Sequence, residues 1–163
     1  MAKLGNLTIV DLSQELMIGS KELQIKRMYH EINRVVVHHT GVDNARIENI
    51  AKSHVNERNW NSIGYHFIIN ENGVIHQTAN LLHVTNHTKG FNRNAIGIAL
   101  NGNYSKKPVP RIVVEMLRAL IKELVKLYLI RNIDKHCDCC KTECPGTNFK
   151  AEFLDLNTPL QVN

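Results

Sequence analysis

Apolar and polar positions fall in blocks along this chain, and the blocks define its elements before any chemistry is considered. A β-branched run from Val35 to Val37 leads into His38 and His39 and is bounded by polar residues and Gly41, the pattern of a short buried strand. Asp43 or Asn44 can cap the helix that follows, in which Ile47, Ile50, Ala51 and Val55 recur at helical spacing towards Trp60. Tyr65 to Asn70 and Val74 to Gln77 flank Glu71-Asn72-Gly73, a turn signal that predicts a hairpin. Ala95 to Leu100 reads as another buried strand. Pro110 suits the first turn of a long helix reaching about Ile130, with Ile112, Met116, Leu120, Leu124 and Leu127 as its core-facing stripe. Ser20 to Tyr29 also has a helical look, before a break at His30 to Asn33.

Strands alternating with helices predict an α/β fold, and the hairpin makes the sheet mixed. At 163 residues the chain suffices for one compact domain with a real core and is too short for two ordinary ones. The expectation is a single domain over residues 34–163, a central mixed sheet flanked by helices, with residues 1–33 packed on it as an accessory segment.

Charge narrows the partners. A formal net charge of +5 favours approach to anionic polymers, but the basic residues are scattered and no nucleic-acid motif accompanies them, so a nucleic-acid partner is not expected. The segment MAKLGNLTIVDLSQELM has neither an uninterrupted apolar core nor a small-residue cleavage site, which predicts cytoplasmic synthesis without a signal peptide. No run is apolar enough for membrane insertion. A monomer is expected.

Candidate chemistry gathers at HCDCCKTECPG, residues 136–146, which holds all four cysteines. A secreted disulfide scaffold spreads its cysteines along the chain. Here His136 and Cys144 instead offer an imidazole and a thiolate eight residues apart, both good zinc donors. A third donor lies at the end of RVVVHHTG, where His38 and His39 compete because neighbouring strand residues face opposite ways. Three protein ligands leave the fourth tetrahedral position for water, the arrangement of a catalytic site. A closed knot of Cys137, Cys139, Cys140 and Cys144 is the structural alternative, though such knots usually draw on two separated short motifs. Tyr65, in NSIGYHFIINENGVIHQ, adds a phenol able to hydrogen-bond a reacting oxygen. His66 beside it should face the other way, as a hydrogen-bonded core histidine. His30, His54, His76 and His83 receive no role. Together the parts point to metal-assisted hydrolysis.

Four ordered segments, VVVHHTG, IGYHFIINENG, HTKGFNRNAIGIALNGNY and HCDCCKTECPG, resemble the zinc-dependent N-acetylmuramoyl-L-alanine amidases, a family shared by phage lysozyme-like amidases and animal peptidoglycan recognition proteins. The likeness runs from about Arg34 to Phe149. It implies a zinc-floored groove beside the sheet, one Zn2+ held by His38, His136 and Cys144, and a peptidoglycan substrate cut between N-acetylmuramic acid and L-alanine, as in a phage endolysin or a bacterial autolysin. Tyr65 matches the family's catalytic tyrosine. Thr142 falls where phage members often have lysine and catalytic recognition proteins commonly have threonine, and His87 falls in a segment that contributes to the substrate groove. One departure stands out: Ala99 occupies the place of a glutamate that serves some bacterial relatives as general base. The same resemblance admits a noncatalytic peptidoglycan-binding module. A regulator of transcription, as some phage relatives are, is a more distant reading for which no surface is identified.

Overall fold

The computed structural model describes residues 1–19 and 25–160. Its frame is a seven-stranded sheet of β1 (Ala2–Leu4), β2 (Leu7–Asp11), β3 (Arg34–His39), β4 (Phe67–Ile69), β5 (Ile75–Gln77), β6 (Ala95–Leu100) and β7 (Asn132–Lys135), in the spatial order β1-β2-β5-β4-β6-β3-β7. The central strands β4, β6, β3 and β7 are parallel, whereas β5 returns antiparallel to β4 through the expected hairpin. The sheet is therefore mixed, and the expected α/β class holds.

Strand alternation divides the sheet into two faces. Val35, Val37, Phe67, Ile69, Ile96, Ile98 and Leu100 turn to one side and join the larger core. On that side lies the helix α2 (Arg111–Leu127), which contributes Val113, Val114, Leu117, Leu120, Ile121 and Leu124. The opposite face carries Ile68 and Ala99, covered by Ile47 and Ala51 of α1 (Ile47–Lys52) in a smaller cluster. Full burial of β3 and β6 on both faces explains why their sequences read as apolar runs without alternation.

Several expectations need correction. Residues 1–33 are more than an accessory segment, because β1 and β2 belong to the sheet itself: β2 runs parallel to β5, and Ile9 is 2% exposed in the core. The tip of this first hairpin also docks on α2, where the Asn6 N–H donates to Glu123 Oε2 at 3.4 Å. Of the helix expected over Ser20 to Tyr29, residues 20–24 lie outside the described residues. Ile25 to Met28 is extended, with Lys26 bridging to His83.

α1 begins after Arg46 and continues as a wider π-type turn over Ser53–Glu57. Neither Asp43 nor Asn44 caps it; Asp43 Oδ1 instead accepts the Asn103 N–H, and Asn44 sits at φ +50°. The buried stripe of α2 keeps Leu120 and Leu124 of the expected set, with Met116 packed against it, and widens to Val113, Val114, Leu117 and Ile121, but loses its two ends. Ile112 is 42% exposed and Leu127 38%, and Ile112 lies over Gly73 at φ +84°, so close that a Cβ there would sit 2.7 Å from Ile112 Cγ1. Only glycine fits that turn without strain.

Candidate metal centre

Position 38 ends the buried part of β3, and its register partner on β6 is Ala99. Alternation puts His38 on the α1 face and His39 on the other, where His39 Nδ1 accepts the Tyr104 N–H at 3.2 Å. The pleat therefore brings His38, and not His39, to the side where the other candidate donors gather. His38 is 1% exposed.

β7, alongside β3, delivers the second donor. It leads directly into the one-turn helix α3 (His136–Cys139), with Asp138 Oδ2 accepting the Lys135 N–H at 2.9 Å to fix the entry. The loop closes when the Cys137 N–H donates to Cys144 O at 2.9 Å, so eight residues of spacing become a short distance in space. The His136 and His38 rings are 4.4 Å apart between centroids, and Cys144 Sγ lies 3.7 Å from His38 Nδ1. One donor atom from each of His38, His136 and Cys144 can be chosen so that all three lie within 4.8 Å of one another. Among the described residues they form the one such group of three or more metal-ligating side chains.

The donor set and spacing fit zinc. Tetrahedral coordination at ordinary Zn–N and Zn–S bond lengths separates nitrogen from sulfur by about 3.6 Å. Burial holds His38 well below the usual histidine range and lowers His136, so both imidazoles are neutral, as ligands must be. Burial also pushes the Cys144 thiol up to about 12. A thiolate there needs a cation, while the His39 N–H, 3.4 Å from Sγ, supplies a hydrogen bond suited to the anionic form.

Tyr65 stands beside this group, its ring centroid 5.3 Å from that of His38. Burial, reinforced by Cys144, raises its pKa well above the ordinary phenol value, so Tyr65 remains a proton donor throughout the physiological range. On its other side lies the buried His54, 5.6 Å between ring centroids. His54 Nδ1 accepts the Gly64 N–H at 3.0 Å, which steadies the turn before Tyr65. The sequence left His54 unassigned, and its helical spacing gave no signal for this role. Thr142 is exposed at the rim, its Oγ1 accepting the Cys144 N–H at 3.3 Å and its own proton free to be donated. Ala99 is fully buried under α1 and supplies no base.

His87 takes a different place from the groove lining expected of it. Its ring is buried at 7% exposure, packed over Gly97 with Nδ1 3.2 Å from His38 Nε2. Little of it is left for a substrate to touch. His66 is the buried, hydrogen-bonded histidine expected, its Nδ1 accepting the Gly97 N–H at 3.1 Å. The cysteine-knot alternative finds no counterpart among the described residues, where Cys137 and Cys140 are exposed.

A His-His-Cys group with His38 buried and His136 and Cys144 half-buried, beside a mixed sheet and with a tyrosine against it, is a donor set that could hold a zinc ion. The chain belongs to the N-acetylmuramoyl-L-alanine amidase family, whose sequence pattern matches residues 28–147. A peptidoglycan recognition protein of Trichoplusia ni is 30% identical over 146 residues, which cover 83% of this chain and 80% of that one. The endolysin of Enterobacteria phage T3 is 31% identical over 99 residues, 58% of this chain and 66% of its own. Among solved structures, the N-acetylmuramoyl-L-alanine amidase LysC from Clostridium intestinale URNW superposes with a TM-score of 0.80 at 32% identity, covering 90% of this chain and 93% of that chain.

Proposed function

We propose that this chain is a catalytic, zinc-dependent amidase that hydrolyses the bond between N-acetylmuramic acid and the L-alanine of the stem peptide in peptidoglycan. The observation that carries the reading is the convergence of His38, His136 and Cys144, with Tyr65 beside them. When bound, zinc would polarise the scissile carbonyl and make a nucleophile available from water near neutral pH. The protein's own groups do the rest. His38, His136 and Cys144 hold the ion, and the phenol of Tyr65, locked in its protonated form, donates a hydrogen bond to the oxygen on which charge develops. Thr142, at the rim, donates a second. Such donors act best at about 3 Å from that oxygen. With Ala99 in place of an acidic residue, no carboxylate at that position serves as general base.

The likeness to the phage T3 endolysin supports a wall-degrading setting, in which a monomer made in the cytoplasm acts on the wall after release. The likeness to a peptidoglycan recognition protein keeps a second reading in view, a module that binds peptidoglycan without cutting it. Purified protein incubated with peptidoglycan, with and without a chelator, separates the two. The amidase reading expects soluble fragments that disappear with chelator and return with zinc. Binding without fragment release in zinc-loaded protein would establish the recognition module instead.

A further inference from the structure

The buried side of His38 carries a hydrogen-bonded chain that points one way. His38 Nδ1 faces Cys144 Sγ, so its Nε2 is left for the interior, where it meets His87 Nδ1 at 3.2 Å and Thr88 Oγ1 at 3.3 Å. Thr88 Oγ1 is itself 2.9 Å from His87 Nδ1, and His87 Nε2 faces the backbone carbonyl of Ala95 at 3.4 Å. That last contact is long, yet its sense is set, because a carbonyl oxygen accepts and never donates. The Ala95 oxygen is fixed by β6 and also accepts from the buried Arg27 guanidinium at 2.6 Å.

The proton positions follow from that end. His87 carries its hydrogen on Nε2, towards Ala95 O, which makes its Nδ1 an acceptor. Thr88 donates its hydroxyl proton to that nitrogen and accepts the His38 Nε2–H in turn. His38 is left with its Nδ1 lone pair directed at Cys144 and His136. The reverse order sets the His87 Nε2 lone pair against a carbonyl and places a proton on His38 Nδ1, where a ligand lone pair is required. Both rings are buried and neutral, so the tautomer is the property left to fix.

The surroundings are built to hold this chain. A Cβ on Gly97 would lie 2.7 to 2.9 Å from three atoms of the His87 ring, so the ring needs a glycine beneath it. The side chain of Asn92 accepts the backbone N–H of both His87 and Thr88, at 3.0 and 2.6 Å, and clamps their loop. The geometry points to His87 and Thr88 as positioning residues that fix His38 in its Nε2–H tautomer and so aim its Nδ1 at the metal. The inference rests on the reading of His38 as a metal ligand and assigns His87 a role behind that ligand. Partners of this kind commonly change metal affinity by about ten- to a hundredfold when lost.

The test uses the full chain, first stripped of metal, with isotope-labelled histidine so that NMR identifies which ring nitrogen of His38 carries the proton. The parent should show the proton on Nε2 alone. His87→Ala and Thr88→Val should shift His38 towards the Nδ1–H form and weaken the zinc Kd, by about tenfold or more in His87→Ala. His87→Asn, whose Oδ1 can stand where Nδ1 stood, should restore most of both, and Gly97→Ala should repeat the loss by displacing an intact His87. A His38 tautomer that stays on Nε2 in both His87→Ala and Thr88→Val, or zinc affinity within twofold of the parent in both, overturns the proposal. If His87→Ala fails to fold, the nearly isosteric Thr88→Val decides alone. A parent that binds no zinc at all would overturn the metal reading instead, an outcome distinct from the tautomer read in metal-free protein.

Discussion

Cys144 and Tyr65 are shifted in the same direction by burial, with opposite consequences for the roles proposed for them. The Cys144 thiol, pushed up to about 12, keeps its proton until a cation displaces it, whereas Tyr65 needs its proton in order to donate. Metal analysis of Cys144→Ala should therefore show lost zinc, while Cys139→Ala and Cys140→Ala, which remove side chains outside the donor group, should retain one ion per chain. Unchanged zinc in Cys144→Ala would remove that residue from the site. Tyr65→Phe should keep fold and metal yet lose about a hundredfold in rate, since one preorganised donor to a developing oxyanion commonly supplies that much. Thr142→Val, exposed and at the rim, should lose less. A Tyr65→Phe protein within twofold of the parent would make the tyrosine a packing residue. His38, His136 and Cys144, which the structure brings together, could be singled out from the sequence as candidate donors because their motif order resembles a family. The chain from His38 to Ala95 O could not, since it joins a strand, a loop and a backbone carbonyl that no spacing relates.

The elements show which patterns survive folding. β3, β6 and the β4–β5 hairpin stand where the apolar runs and the Glu71-Asn72-Gly73 turn placed them, because local sequence and burial agree there. The strand period also fixes which of His38 and His39 faces His136 and Cys144. In α2 the middle of the expected stripe holds and its ends do not: Leu120 and Leu124 are fully buried and Met116 packs against the core, with Val113, Val114, Leu117 and Ile121 beside them, while Ile112 covers the hairpin turn and Leu127 is partly exposed. Denaturant unfolding checks this burial. Leu117→Ala, fully buried, should cost about 2–5 kcal/mol, and Leu127→Ala, partly exposed near the end of α2, should cost well under half as much. Equal losses would contradict the observed burial. β1 and β2 escaped notice because three to five residues are too few for periodicity to distinguish a strand from a loop.

Across the molecule, four buried histidines, His38, His54, His66 and His87, are folded in as neutral rings. Burial lowers His87 to about 3 and His54 to about 4, and holds His38 and His66 well below the usual range. Their folded pKa values lie below the unfolded value, so the unfolded chain binds more protons as pH falls. Stability should be full above the unfolded pKa of about 6.5 and decline below it, by up to about 1.4 kcal/mol per pH unit for each such ring. Thermal unfolding of metal-free protein should show Tm dropping steeply between pH 7 and about 4.5. A flat profile in that window would mean that the rings are not held neutral. Replacing His66, which lies outside the metal group, by glutamine should shallow the slope even if it lowers stability.

An amidase and a glycosidase break different bonds in peptidoglycan, and the products identify which. Peptidoglycan digested by the zinc-loaded protein should gain free L-alanine amino groups while its glycan reducing ends stay constant, because the proposed three-ligand zinc site suits amide hydrolysis, whereas glycoside cleavage calls for a pair of carboxylates. The gain should vanish with chelator. New reducing ends without new alanine amines, or neither product from zinc-loaded protein that binds the wall, would contradict the account.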